Sequence, residues 1–478
     1  RRGRGRALLG LEGAGEEAVT AAMLLQRMRS SRGASTARGA EREGCRATPR
    51  RGRTLERCWA RPGAELSDRQ RRIKPTVHSL SRSSSNGVEE ATGRKPEFRN
   101  RGKAKFQLCR TDGFMCETES KHVENDSYVR FDGPSTQNHM LVWKTCPKTV
   151  LVLKKRGKAL LPHLRDVARH LWFELNLQVV VEPEVGREIS GMSDLDFVET
   201  YDNEEDAGKL HEFVDFVVCL GGDGVVLHAS NLFPGAMPPV ISFNLGSLGF
   251  LTNHWHEEYH KDLPDMCNSC YPTPLSGVFV TLRMRLSVQV MRKGKPVPGK
   301  RFQVLNEVCV DRGSNSYLCM IECYERNRLI TKVQGDGVLL STPTGSTAYS
   351  VAAGGSIVHP SVPAILFTPI CPHSLSFRPV LLPDSAELEL RVPETARGTA
   401  WASFDGKNRV ELSQGDSIMV RMSDYPVPSI NKTDETADWF KSLVRCLRWN
   451  ERLDQAPFDE EEVVKEVHTS SSRSEEHW

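Results

Sequence analysis

"VVCLGGDGVVLHAS", Val217–Ser230, decides how this chain is read. A short apolar run meets three glycines around one aspartate, and an apolar, helix-compatible stretch follows. Glycines between a strand and a helix let a phosphate approach backbone N–H groups at the helix start. This loop has neither the lysine nor the hydroxyl of a Walker A loop, and it is not G-x-G-x-x-G. Read alone, Gly221, Gly222 and Gly224 form either a tight turn capping a helix or a phosphate loop. Asp223 favours the second reading. A carboxylate repels phosphate unless a cation intervenes or it grips a hydroxyl, and gripping a hydroxyl is the task of a phosphoryl-transfer base.

Upstream, "TVLVLKK" (149–155) is short, β-branched and apolar, as a buried strand is. "ALLPHLRDVARHLWFELN" then sets Leu160, Leu164, Val167, Ala168, Leu171 and Leu175 at helical spacing, with Pro162 in the first turn. "LQVVVEP" is a second strand, an acidic loop follows, and "HEFVDFVVCL" is a third strand ending at the glycines. "PPVISFNLGSLGFLT" is a fourth strand and a tight turn. Strands alternating with helices imply a parallel α/β sheet, whose ligands bind beyond the strands' carboxyl ends. From about Ser276 short alternating runs punctuated by Gly and Pro predict an antiparallel β-sandwich.

The expected organisation is therefore a basic, Ser-rich extension without a core over 1–140, an α/β domain over 141–275 and a β-sandwich over 276–430. A segment over 431–450 packs back on the α/β domain, and an acidic tail fills 451–478. With Arg1 rather than methionine first, the sequence reads as a fragment or an over-extended gene product. The arginine-rich stretch from Met23 has some flavour of an import peptide, but the acidic residues after it point away from import and towards the cytoplasm. Ser83–Ser85 is either a solvated linker or a phosphorylation site.

The net charge of +3 in 478 residues gives no field that would select nucleic acid. No apolar run reaches the roughly 20 residues of a membrane helix. The 13 cysteines, without a signal peptide, read as intracellular thiols.

A second constellation lies downstream. "LNEVCVDRG" carries Asn306 and Glu307 at a strand end. "VQGDGVLLSTPTGSTAYSVAAGG" carries Gln334, Asp336 and a hydroxyl-rich turn before Tyr349. This density of hydroxyls, amides and carboxylates suits a sugar and a base. Asn306 and Glu307 are equally readable as a strand-end polar pair, and Asp336 as a hairpin turn.

GGDG, NE, QGDG, STPTGSTAYSVAAGG and PICPHSLSFRP, in this order and spacing, resemble the NAD kinase family, and closely its animal cytosolic members. The resemblance runs from about Trp143 to Trp449. GGDG alone is shared with diacylglycerol and sphingosine kinases and resembles the phosphate loop of 6-phosphofructokinase. The resemblance implies phosphorylation of NAD at the 2′-hydroxyl of its adenosine ribose by ATP with Mg2+, with NAD between an α/β domain and a β-sandwich. It implies Asp223 as base, with Gly224 beside it. Asn306 and Glu307 would hold NAD hydroxyls or phosphates, and Gln334 and Asp336 the nicotinamide end. Thr347, Ala348, Tyr349, Ser350 and Ala352 would line the adenine side. Asp405 and Lys407 are further candidates. The implied assembly is a dimer or tetramer of this chain. No resident metal, membrane or nucleic acid is implied.

The sequence departs from the family pattern in three places. Val225 replaces the Thr or Ser after GGDG, which removes a donor to ATP phosphate. The Gln289–Gln303 hairpin is shorter, and the amino-terminal extension is foreign to the family. Two other functions compete: a lipid kinase on the same loop, and a catalytically weak NAD(H)-binding regulator, which Val225 keeps open. His254, His256, His260, Cys267 and Cys270 have zinc-compatible spacing, but no second Cys-x-x-Cys accompanies them. Lys154–Lys158 is either a solvated charge run or a phosphate-facing patch.

Overall fold

The computed structural model describes residues 102–110, 118–119, 123–124, 127–131, 139–201, 204–246, 249–268 and 277–450. Met23, Ser83–Ser85, Cys270 and the 451–478 tail lie outside the described residues.

Four strands form the parallel heart of the first domain: β3 (Thr149–Lys154), β4 (Gln178–Val181), β6 (Phe216–Leu220) and β7 (Val240–Asn244). Every residue in them is buried, as expected when helices cover both faces of a sheet. Helix α1 (Leu161–Phe173) turns Leu164, Val167, Ala168 and Leu171 inward, with its proline in the first turn. The acidic stretch expected to be loop holds α2 (Pro183–Ile189) and α3 (Glu204–Phe213). His211–Phe213 thus end a helix, and the strand begins at Phe216. Strand β5 (Glu199–Thr200) joins the edge. The order β5-β4-β3-β6-β7 reverses direction between β3 and β6. The loop after β6, Gly221–Gly224, therefore sits at the switch point where α/β sheets bind ligands.

The domain starts earlier than the composition suggests. Strand β1 (Phe106–Arg110) pairs antiparallel with β2 (His139–Trp143), and Phe106 and Leu108 are fully buried. Phe106 packs edge-on against Trp143 at 5.6 Å, and Trp143 Nε1 donates to Met266 O. Asp215 ties this segment down by accepting the amides of Ala104 (2.7 Å), Lys148 (2.6 Å) and Thr149 (2.9 Å). The expectation of no core before residue 140 fails here because the strand is five residues long, too short to show a period inside an Arg- and Gly-rich stretch. Cys109 and Cys146 are disulfide-bonded, against the expectation of thiols.

Strand β8 (His254–Trp255) lies beside β7, and α5 (Tyr259–Asn268) follows it. The boundary between domains also shifts. Strand β9 (Val278–Arg283) pairs with β2, and β22 (Val427–Ile430) lies between β9 and β7. Both were placed in the sandwich by sequence; both belong to the 11-stranded first sheet. The sandwich lies between them in the chain. One of its sheets contains β10 (Leu286–Arg292), β11 (Lys295–Val304), β13 (Cys319–Glu325), β14 (Arg328–Gly335), β18 (Leu388–Arg391) and β21 (Ser417–Met422). The other contains β12 (Glu307–Asp311), β15 (Gly337–Ser341), β16 (Ala364–Ile370), β17 (Val380–Pro383), β19 (Ala400–Phe404) and β20 (Lys407–Leu412).

Arg285 fastens the crossing between domains. It is fully buried and donates to the carbonyls of Tyr425, Ser230, Phe233 and Gly235. Ser230 and Phe233 end α4 (Asp223–Leu232), where a cation complements the helix dipole. After the short α6 (Tyr349–Ala352) of the sandwich, helix α7 (Glu435–Leu447) packs on β9 of the first sheet, with Asp434 capping Ala437 N. Lys432 fixes its approach by pairing with Asp262 (2.6 Å) and Glu258 (2.7 Å).

Leu108→Ala should cost about 2–5 kcal/mol, the usual range for a fully buried leucine. A chain begun at Gln137 should aggregate or melt early, because it loses β1 entirely. Denaturant midpoints of the three proteins check both expectations.

Candidate functional site

Three glycines shape the first half-site in different ways. Gly221 has φ +145°, and a Cβ there would meet Val225 Cγ2 at 2.9 Å. Gly222 and Gly224 have nothing within 4 Å of an added Cβ. Gly221 is thus required by the fold, while the other two keep the approach to the start of α4 open, as anion binding requires.

Asp223 opens α4, and its carboxylate is bound on the far side by a turn. Oδ2 accepts Phe250 N at 2.9 Å, and Oδ1 accepts Leu251 N at 3.0 Å and Thr252 Oγ1 at 3.3 Å. A Cβ on Gly249 would lie 1.8 Å from Oδ1, so that glycine is needed for the close approach. A carboxylate has about four acceptor positions. Three are used, and one on Oδ2 is left for an incoming donor.

Val225 corrects an expectation. Its side chain is 7% exposed and packs in the core with Leu153, Val226 and Leu305, against Gly221. The missing hydroxyl is therefore missing from the core side of the helix and not from the phosphate face. Lys154 is likewise no phosphate ligand: it is buried, paired with Glu188 at 2.6 Å and bonded to Gly157 O.

The second half-site is built on the loop 305–307 of the sandwich. Asp405 accepts the amides of Leu305 (2.9 Å), Asn306 (2.8 Å) and Glu307 (3.2 Å). It has φ +47° and is followed by Gly406 at +70°, which makes a hairpin turn between β19 and β20. Asp405 therefore shapes the loop, and its oxygens are committed to backbone, while Lys407 is exposed beside it. Thr342 Oγ1 donates to Leu305 O at 2.5 Å, and Gly345 passes so close that a Cβ would sit 2.1 Å from Asn306 O. The STPTGS turn is thus laid directly on Asn306–Glu307. Leu305 shares a core cluster with Val225 and Val226, which joins this half-site to α4.

Glu307 is 9% exposed, with Oε2 unpartnered. Burial, and then the neighbouring Asp405, push its carboxyl up to about 7, while the Tyr349 amide pulls the other way. Tyr349 is partly exposed, and partial burial and then nearby Cys309 raise its hydroxyl to about 12. Ala352 and Gln334 are exposed, and Thr347 and Ala348 half-buried. Ser350 is not available to a ligand: it is fully buried and bonded to Thr368 Oγ1 at 2.9 Å. Asp336 stands in an ion pair with Arg312 at 2.7 Å.

Among the described residues, the zinc-spaced side chains form no metal-ligating cluster. His254 is buried in a pair with Asp262 at 2.8 Å, and His256 packs edge-on against His163.

Residues 150–271 match the family described as ATP-NAD kinase N-terminal domain, and residues 305–432 the ATP-NAD kinase C-terminal domain. Among relatives, "Putative NAD kinase 3" of Oryza sativa subsp. japonica is 44% identical over 367 residues, covering 74% of this chain and 72% of the relative. The chain belongs to the NAD kinase family. "NAD kinase 2, chloroplastic" of Arabidopsis thaliana is 59% identical over 356 residues, 74% of this chain but 36% of the relative. The chain thus spans about a third of that family member's length. A yeast NADH kinase solved with NADH is similar in fold, with TM-score 0.60 and 29% identity over 69% of this chain and 96% of that one.

Arg283, Arg285 and the part that the 249–252 turn plays in the site of this NAD kinase family member were not legible as motifs. The signal was present as two arginines inside the apolar run "TLRMRLS", where a charge has to be compensated.

Val225→Thr should leave the Michaelis constant for ATP unchanged and lower stability by about 1–3 kcal/mol, because it buries a hydroxyl in apolar surroundings. Steady-state kinetics with a melting curve checks it.

Glu307 gives a pH signature. A carboxyl raised above its ordinary 4.5 to about 7 keeps its proton in the folded state after the unfolded chain has released it. Stability should therefore fall as pH rises from 4.5 to about 7 and level off above. Glu307→Gln should remove that fall, so the variant gains on the parent at pH 8 and not at pH 4.5. Urea midpoints at the two pH values read the difference.

Proposed function

We propose that this protein transfers the γ-phosphoryl group of ATP to the 2′-hydroxyl of the adenosine ribose of NAD, giving NADP and ADP. The observation that carries the reading is the carboxylate of Asp223. It is held by three donors at the open start of a helix, with one acceptor position to spare. A ribose hydroxyl donating to that position would be aligned with a phosphate on the amides of the Gly222–Gly224 loop. In the transfer, the bond from the bridging oxygen to the γ-phosphorus breaks and leaves with ADP. A bond from the 2′-oxygen to phosphorus forms, and the hydroxyl proton passes to Asp223. Asn306, Glu307 and Tyr349 supply hydroxyl- and base-binding groups on the facing sandwich. Magnesium enters as part of the ATP complex, where it would neutralise phosphate charge.

The family membership supports this reading over a lipid kinase. Burial of Val225 removes the feature that favoured a catalytically weak regulator. A homo-oligomer, dimer or tetramer, belongs to the same proposal. It is supported by the exposed apolar residues Leu329, Ile330, Val380 and Leu381 on β14 and β17, beside a cavity of about 370 Å3. A cytoplasmic location and closeness to the animal cytosolic members are also proposed. Fractionation and a tree of family sequences test these two.

The purified full chain should form NADP from ATP and NAD. Asp223→Asn, nearly isosteric but unable to take the proton, should lose about 10²- to 10⁴-fold in turnover. Near-parental turnover in a folded variant would overturn the assignment.

A further inference from the structure

Arg283 ends β9 with its side chain buried beneath the turn that binds Asp223. Its Nη2 donates to Phe250 O at 3.5 Å. Phe250 is also the residue whose amide donates to Asp223 Oδ2. The rest of the turn is gripped by neutral groups: Ser242 Oγ donates to Leu251 O at 2.5 Å, and Asn244 Nδ2 to Thr252 Oγ1 at 3.4 Å. Among the described residues of this turn, Phe250 alone receives a bond from a cation.

A guanidinium in the interior requires counter-charge. Burial draws the Arg283 pKa down, and Glu435, Asp223 and Asp438 oppose that. Glu435 and Asp438 stand in the first turn of α7, both buried. Each is fixed in turn, Glu435 by Ser361 and Asp438 by the amides of Lys432 and Thr433. His359, whose pKa falls through burial and then through Arg283, packs edge-on against Trp439 at 4.9 Å. Its neighbour Val358 exchanges two bonds with Ser346 Oγ of the STPTGS turn. The start of α7 thus touches the supports of both half-sites.

We propose that Arg283 is a positioning residue for the catalytic carboxylate and that the C-terminal helix supplies its counter-charge. Glu435 and Asp438 balance the charge of Arg283 across the packing of α7 on β9, without a direct bond to it; Arg283 holds Phe250, and Phe250 holds Asp223. Arg283 lies between the two matched domains, and Glu435 and Asp438 lie beyond residue 432, where the second match ends. The inference rests on Asp223 being the acceptor-orienting base.

The test is steady-state kinetics of the full chain with NAD and magnesium-ATP across pH. Arg283→Met should lower kcat up to about a hundredfold with little change in either KM, since displacement by about an ångström costs that much. Arg283→Lys, which keeps the charge without the planar fork, should recover part of the loss. Among the described residues, the charged and titratable groups that act on Asp223 are Arg283 from β9 and Cys446 from α7, and those that act on Arg283 are Glu435, Asp438 and His359. Removing the cation makes a nearby carboxylate easier to protonate, and removing the counter-charge does the reverse. The acid limb of kcat should therefore move to higher pH in Arg283→Met and to lower pH in Glu435→Gln. Lost packing would not move the two in opposite directions. Folded variants with unchanged kcat, or with limbs moving the same way, overturn the proposal. If Arg283→Met does not fold, Arg283→Lys and Glu435→Gln decide it alone. If Asp223→Asn keeps full activity, the base reading itself has failed and the inference falls with it.

Discussion

Backbone N–H groups that no helix or strand satisfies must find another acceptor once they are buried. In this protein aspartates meet that demand by binding backbone amides, in three cases from segments far away in the chain. Asp215 joins Ala104 to Lys148 and Thr149. Asp223 joins the glycine loop to Phe250 and Leu251. Asp405 joins the β19–β20 hairpin to Leu305, Asn306 and Glu307, and Asp438 gathers Lys432 and Thr433. A carboxylate bonded to backbone amides makes charge-assisted bonds whose geometry is set by the main chain. The positions of the two site loops follow from Asp223 and Asp405.

The site is consequently a product of two domains fastened to one helix, α4, at two places. The glycine loop is ordered by the parallel sheet, the Asn306–Glu307 loop by the sandwich. Leu305 packs among the α4 residues Val225 and Val226, and Arg285 holds the far end of the same helix. Helix α4 is therefore gripped at its carboxyl end by the crossing segment and presents its amino end to ligand. Rigidity at one end and openness at the other suit a group that has to be held before its substrate arrives.

Where residue type and packing point in different directions, the packing partner decides. His254 has a metal ligand's chemistry and spacing, yet Asp262 occupies its ring nitrogen. Ser350 sits in a hydroxyl-rich ligand motif, yet it turns inward to Thr368. Val225 breaks the family pattern, yet its side chain lies on the core side of the helix, where the change costs no ligand contact.

The sequence by itself determined the alternation of strands and helices, the switch to an antiparallel domain, and the position of Asp223 in a glycine loop. These are local properties, carried by the period of apolar residues and by turn chemistry over a few positions. Only the tertiary structure decided that β9 and β22 belong to the first sheet and that β1 is core. It also decided that Asp405 supports Asn306 and Glu307, and that Arg283 lies under Asp223. Each of these is a pairing across tens to hundreds of residues. Hydrogen bonds and burial at that distance leave no period in the chain, because the partner is chosen by the fold that brings it near.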